Sequence, residues 1–260
     1  AALKLSYQVH YDSGNKDKVY VISRNQSYHG STLQCLAVSE RDNLKFYNQL
    51  LPHTIARIPQ HHPLHMMKSK ETIDEYAKRS ANELEIQILE LGPNCVGSFI
   101  GETVMGQLQG DVPPAPNYWK YIREICDRYN VHLILDEVYC GLGRSGKVYC
   151  CEWDNVVPDF VCFGKTLGAG YAPLSVVVSN AGIEEIIRHG QGRIQHGHTH
   201  QGYSLGVAAA LAVQKIVQTD QTLAHVNTIG NYFQRKLTEG LSKHPFVRDI
   251  RGRGLMVSLE

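Results

Sequence analysis

The chain has 260 residues, 43% of them hydrophobic and 20% charged. That balance excludes a disordered, collagen-like or disulfide-scaffold chain. With 26 Lys and Arg against 25 Asp and Glu, the net charge is +1, which gives no reason to expect a nucleic acid or an anionic membrane as partner.

Residues 1–12 read as a helix, with Leu3, Leu5 and Val9 on one face and Ser13-Gly14-Asn15 as its stop. No capping residue precedes it. The chain ends in an alternating run over 254–260, a strand in progress. Both ends therefore read as cut, and a middle fragment of a longer protein is expected. Val19-Tyr20-Val21-Ile22 reads as a strand, and Gly30-Ser31-Thr32-Leu33 as the opening of a short helix. Residues 40–70 read as irregular, broken by Pro52, Pro59 and Pro63. His61, His62 and His65 fall there and are expected on a solvated surface. Residues 72–91 carry Ile73, Tyr76, Leu84, Ile88 and Leu91 at helical spacing, ended by Gly92-Pro93. A strand over 96–100 leads to Gly101-Glu102-Thr103, and residues 118–130 read as a helix. Val131-His132-Leu133-Ile134-Leu135 is the near-continuous apolar run of a strand buried on both faces of a parallel sheet. Phe160-Val161-Cys162-Phe163 and residues 174–178 repeat it. Helices over 182–189, 205–217 and 226–241 follow. Strands alternating with helices imply an α/β layered domain.

Seven cysteines show no C-x-x-C spacing and an odd count, and neighbours Cys150 and Cys151 cannot bond without strain. Reduced thiols in an intracellular protein are expected. No apolar run reaches the roughly 18 residues of a membrane span.

Ligands of open α/β sheets bind beyond the carboxyl ends of the strands. Asp136, Gly164-Lys165 and Glu102 each stand at such an end. A Lys there can form a Schiff base with a carbonyl cofactor, and an Asp can hold a cationic ring nitrogen. Taken alone, each reads more simply as a solvated charge or a helix cap. Cys140 lies near them without an activating partner.

The motifs around them are specific. Asp136-Glu137-Val138-x-x-Gly141-x-Gly143-Arg144-Ser145-Gly146 is followed by Pro158-Asp159 and by Gly164-Lys165-x-Leu167-Gly168-x-Gly170-Tyr171-x-Pro173. With Tyr28-His29-Gly30, Glu102-Thr103-Val104-x-Gly106 and His196-Gly197-His198-Thr199, the chain resembles the class III aminotransferases over essentially its whole length. The resemblance implies a three-layer α/β fold around a mainly parallel sheet, the large domain of fold type I pyridoxal-phosphate transferases. It implies a cofactor-binding large domain over 1–220, its N-terminal part missing, and the truncated beginning of a small C-terminal α+β domain over 221–260.

The resemblance also assigns roles. Lys165 would hold pyridoxal 5'-phosphate as an internal aldimine and then shuttle a proton. Asp136 would pair with the pyridinium nitrogen, Tyr28 and Val138 would take the two ring faces, and Glu102 would order the site. His29 and Gly30 belong to the same cofactor-binding set. Thr199 would reach the cofactor phosphate of the neighbouring subunit in a homodimer. The family's phosphate-cradling Gly-Ser segment would lie just upstream of Ala1. The reaction implied is ping-pong amino transfer from an amine or ω-amino acid to a 2-oxo acid. An aminomutase or racemase on the same scaffold, or a non-catalytic binding or dimerisation module, are the rivals. Gln107 stands where ornithine-type members carry an Arg-switching Glu, and Tyr139 where they carry Gln; both tilt the acceptor toward pyruvate. The stretch 200–204 departs from the family beside Thr199, which would weaken cofactor binding. His196, His198 and His200 alternate, a metal-ligand set by residue type, but Thr199 among them already has a role, and no metal is expected. The expected compartment is cytoplasmic, with mitochondrial left open.

Overall fold

The computed structural model describes residues 1–106, 108–219 and 221–260; the acceptor expectation at Gln107 lies outside the described residues. Helix α1 (Ala2–Asp12) leads to strand β1 (Tyr20–Arg24), α2 (Leu33–Ala37), a 3-10 segment (Asp42–Leu50), β2 (Ile55–Ile58) and the short α3 (Pro63–Met66). Then come α4 (Ile73–Leu91), β3 (Val96–Glu102), α5 (Tyr118–Arg128), β4 (His132–Asp136), β5 (Phe160–Phe163), β6 (Val176–Ser179) and α6 (Ala181–His189). Helices α7 (Ser204–Thr219) and α8 (Thr222–Leu241) precede a hairpin of β7 (Ile250–Arg253) and β8 (Met256–Leu259). Among the described residues no helix is long and apolar enough to cross a membrane.

The main sheet has the order β2-β1-β3-β4-β5-β6, parallel except for β6. Alternation along its central strands builds two cores. Ile22, Phe99, Leu133 and Leu135 face α4 and α5, packing with Tyr76, Leu84, Ile88, Trp119 and Ile122. Val21, Ile100 and Ile134 face the other way, with Leu3 and Val9 of α1 and Ile183 and Ile187 of α6. The result is the three-layer α/β sandwich, since a sheet apolar on both faces must be covered on both. Helix α4 starts at a capping box, with the Thr72 hydroxyl accepting from Glu75 N–H and the Glu75 carboxylate accepting from Thr72 N–H. Phe99 is fully buried. Phe99→Ala is expected to destabilise the protein by about 3–5 kcal/mol, measured by urea unfolding.

Three expectations are corrected. Residues 174–178 do not form another strand buried on both faces. Strand β6 is an antiparallel sheet edge, with Val176 and Ser179 exposed; its apolar run alone does not distinguish edge from centre. Residues 40–70 are not wholly irregular. Ile55–Ile58 pairs in parallel with β1, a strand too short to show between two prolines. His61 and His62 are buried, at 1% and 2% exposure. His61 Nε2 accepts the Ala115 N–H at 2.9 Å, its Nδ1 sits 2.9 Å from Ser80 Oγ, and its ring stacks on Tyr118. A fully partnered imidazole can sit in a core, and nothing in the local pattern announces it.

A second buried histidine pair sits between α1 and the sheet. His132 Nδ1 is 2.9 Å from Ser6 Oγ, His10 Nε2 donates to Gly97 O at 2.8 Å, and the two rings stack. Burial, then the neighbouring His10, Arg123 and Lys18, depresses His132 to about 3. Burial also lowers His10 and His61. These folded values lie below that of an unfolded histidine. The stability they contribute is therefore complete above about pH 6.5 and falls as pH drops below it, by up to ~1.4 kcal/mol per pH unit per histidine, for His132 down to about pH 3. Urea midpoints are expected to fall between pH 6.5 and 5, and His132→Gln to flatten that slope by about one histidine's share.

Candidate active site

The parallel register of β3, β4 and β5 fixes what meets at the sheet's carboxyl edge. Glu102 pairs with Asp136, and Asp136 with Cys162. Lys165 follows β5 across Gly164, and Tyr28, His29 and Gly30 follow β1. The structure places Tyr28, His29, Gly30, Glu102, Asp136, Val138 and Lys165 around one cavity of about 490 Å³, with Tyr139. That is an ordinary size for a small-molecule site. A second cavity of similar volume lies elsewhere, lined by α1, Tyr20 and Gln195, and holds none of these residues.

Asp136 is held at both oxygens. Oδ1 accepts the Val138 N–H at 3.1 Å, and Oδ2 lies 2.8 Å from His29 Nδ1. The His29 side chain is only 1% exposed and Asp136 11%. The His29 N–H donates to Ser39 Oγ at 2.8 Å, so the imidazole is fixed by its backbone and by the carboxylate. Its Nε2 is buried with no partner among the described residues. Glu102 joins two strand ends. Its Oε1 accepts the Tyr28 N–H at 3.1 Å and its Oε2 the Gly106 N–H at 2.9 Å. A Cβ at Gly106 would come within 2.9 Å of Glu102 Oε2 and of the Tyr139 ring, so any larger residue there would have to displace one of these two side chains.

Lys165 is exposed to the cavity, its Nζ 5.3 Å from the centre of the Tyr139 ring. Its φ of +38° is left-handed backbone for a non-glycine residue, strain of the kind that collects at functional sites. Val138 packs near Gly164, where a Cβ would sit 3.3 Å from Val138 Cγ1.

Two residues gain parts that the sequence reading had not given them. Tyr139, read only as a departure, lines the cavity against the lysine. Glu137, quoted in the motif without a role, is buried at 1% exposure. It accepts N–H bonds from Cys150 and Cys151 at 2.6 and 2.8 Å and the Thr103 hydroxyl at 3.0 Å. Burial raises its pKa and the backbone donors oppose that. The loop carrying Asp136 and Val138 is thereby tied to the 150–151 turn. A second acidic residue between the strand-end Asp136 and the apolar Val138 was the available signal.

Thr199 does not join the cavity. It lies exposed in residues 196–203, which form no strand, and His196 and His198 meet edge to face, 5.0 Å apart. Cys140 is buried and its thiol pushed well up, chiefly by burial. All seven cysteines are free.

The family profile described as aminotransferase class-III matches residues 1–260. An aminotransferase of Gibberella zeae is 35% identical over 264 residues, covering 100% of this chain and 52% of the relative. A diaminobutyrate–2-oxoglutarate transaminase of Halomonas elongata is 35% identical, covering 95% and 54%. Among solved structures, an (S)-enantioselective omega-transaminase from Thermomicrobium roseum superposes with a TM-score of 0.91 at 29% identity, covering 100% of this chain and 57% of that one. The chain thus spans about half the length of the curated relatives it matches.

Proposed function

The chain belongs to the class III aminotransferases, and we propose that the protein carrying it moves an amino group from an amine or ω-amino acid to a 2-oxo acid such as pyruvate, in ping-pong order. The observation that carries this reading is the meeting of Lys165, Asp136 and Glu102 at one cavity on the carboxyl edge of three adjacent strands.

Class III aminotransferases work with pyridoxal 5'-phosphate, and the residues fit it. An amine for the aldehyde is present at Lys165 and a carboxylate for the pyridine nitrogen at Asp136. Tyr28 and Val138 offer surfaces for the ring. When bound, the cofactor supplies an electron sink for charge left on the amine-bearing carbon. Lys165 Nζ, exposed and next to Tyr139, takes and returns the proton at that carbon. Asp136 holds the positive charge on the ring nitrogen, with His29 fixing which way the carboxylate faces. Glu102 binds the Tyr28 and Gly106 backbone together and so sets the width of the slot.

Further parts of the reading rest on placement. Thr199 lies outside the cavity and exposed; the homodimer in which it would serve the neighbouring cofactor's phosphate rests on the family membership. Helix α8 packs against β7 and β8, which supports a large domain over 1–220 and the beginning of a small one over 221–260. Free thiols support a reducing compartment, taken as the cytoplasm. Gln107 in place of an acidic residue supports pyruvate as acceptor.

The test incubates the full-length protein and added cofactor with an amine donor and either pyruvate or 2-oxoglutarate. Stoichiometric alanine is expected, faster than glutamate. Glutamate alone would overturn the acceptor; isomerised donor with no amino transfer would overturn the function.

A further inference from the structure

One side-chain cluster lies outside the cavity and has no part in the reaction. The turn of α3 brings His62 and His65, three residues apart, to the same side, and the end of β8 delivers Glu260 to them. One donor atom from each of the three lies within 4.8 Å of the others. His65 Nε2 is 2.9 Å from Glu260 Oε1, and the two imidazoles meet edge to face at 4.1 Å. The sequence shows a His-x-x-His pair; only the fold supplies the third donor.

His62 points to a ligand independently. Its residue is 2% exposed, and Nδ1 is buried without a hydrogen-bonding partner among the described residues. The surrounding charges leave room for a cation. Arg251 donates to Glu260 Oε2 at 2.7 Å and to Asp249 Oδ2 at 2.8 Å. It occupies one carboxylate oxygen, while the other stays with His65. Asp249 offsets the Arg251 charge; Arg248 lies 3.9 Å from Glu260 Oε1, a looser approach than the 2.9 Å of His65 Nε2.

We propose that His62, His65 and Glu260 form a divalent transition-metal site of the zinc class, which ties α3 to the β7–β8 hairpin. Two imidazoles and one carboxylate are an established zinc donor set, with water completing the tetrahedron. Donors around zinc stand ~3.3 Å apart, so the ion draws His62 onto the His65–Glu260 pair. Arg251 is then the outer partner that orients the carboxylate. The site shares no residue with the cavity, and its fate is independent of the aminotransferase reading.

The test uses the full-length protein after chelator treatment. Zinc is titrated by calorimetry, and cobalt binding is followed by its visible absorption. One equivalent is expected to bind the wild type and to raise its Tm. His65→Ala, a surface change that leaves the core intact, is expected to weaken binding at least ~10-fold and to erase the Tm rise. Glu260→Gln keeps the shape and removes the anionic donor, with the same expected loss. Absence of zinc binding to the wild type, or equal affinity in all three proteins, overturns the site.

Discussion

Lys165→Ala is expected to lower amino transfer by at least ~10³-fold, because under the proposed function one change removes both the amine that would attach the cofactor and the base that would move the substrate proton. The fold should not notice. Lys165 is exposed, and surface changes of this kind stay within about ±0.5 kcal/mol. Alanine at a φ of +38° remains strained, so Lys165→Gly separates the chemistry from the backbone: it should match the alanine variant in activity and be at least as stable. Lys165→Arg keeps a cation over the Tyr139 ring, yet a guanidinium stays protonated and can neither attach nor deprotonate. It should therefore be as inactive as alanine. Borohydride reduction of the cofactor-loaded protein followed by peptide mapping should label residue 165 in the wild type alone. Retention of a tenth of the wild-type rate by Lys165→Ala would sink this assignment.

What the residues disclosed in advance divides along physical lines. Long periodic helices and doubly buried strands were legible because burial on a fixed period writes itself into the sequence: Leu133 and Leu135 face one core, Ile134 the other. The positions of Asp136 and Lys165 were legible because a parallel sheet sends its strand ends to one edge. What stayed hidden depends on partners distant in sequence. His61 looks like surface until Ser80, Ala115 and Tyr118 close around it. The edge strand β6 has the same apolar run as a central one, and only its neighbours decide. The bond between His29 and Asp136 joins residues whose types are both common at strand ends, and no spacing rule connects them. Thr199 was named by motif alone, and in the structure it lies exposed, away from the cavity that gathers the other named residues.

Asp136 and His29 allow charge and orientation to be separated. Asp136→Asn keeps an acceptor for the Val138 N–H and nearly the same volume, but removes the negative charge. Amino transfer should fall by ~10³-fold, in the range found when a preorganised electrostatic partner is lost, while the urea midpoint stays close to wild type. His29→Gln leaves the charge in place and removes the imidazole that holds Oδ2 at 2.8 Å. Its loss should be smaller, ~10- to 100-fold, as for other groups that orient a site's own ligands. Cofactor affinity distinguishes the two changes further, because a carboxylate without its orienting partner still attracts a cationic ring, whereas an amide does not. Asp136→Asn should therefore weaken cofactor binding more than His29→Gln does. The double variant should be little worse than Asp136→Asn alone, since His29 acts through the carboxylate and has nothing left to orient once the charge is gone. Full additivity of the two losses would mean that His29, with its buried and unpartnered Nε2, touches the reacting groups directly.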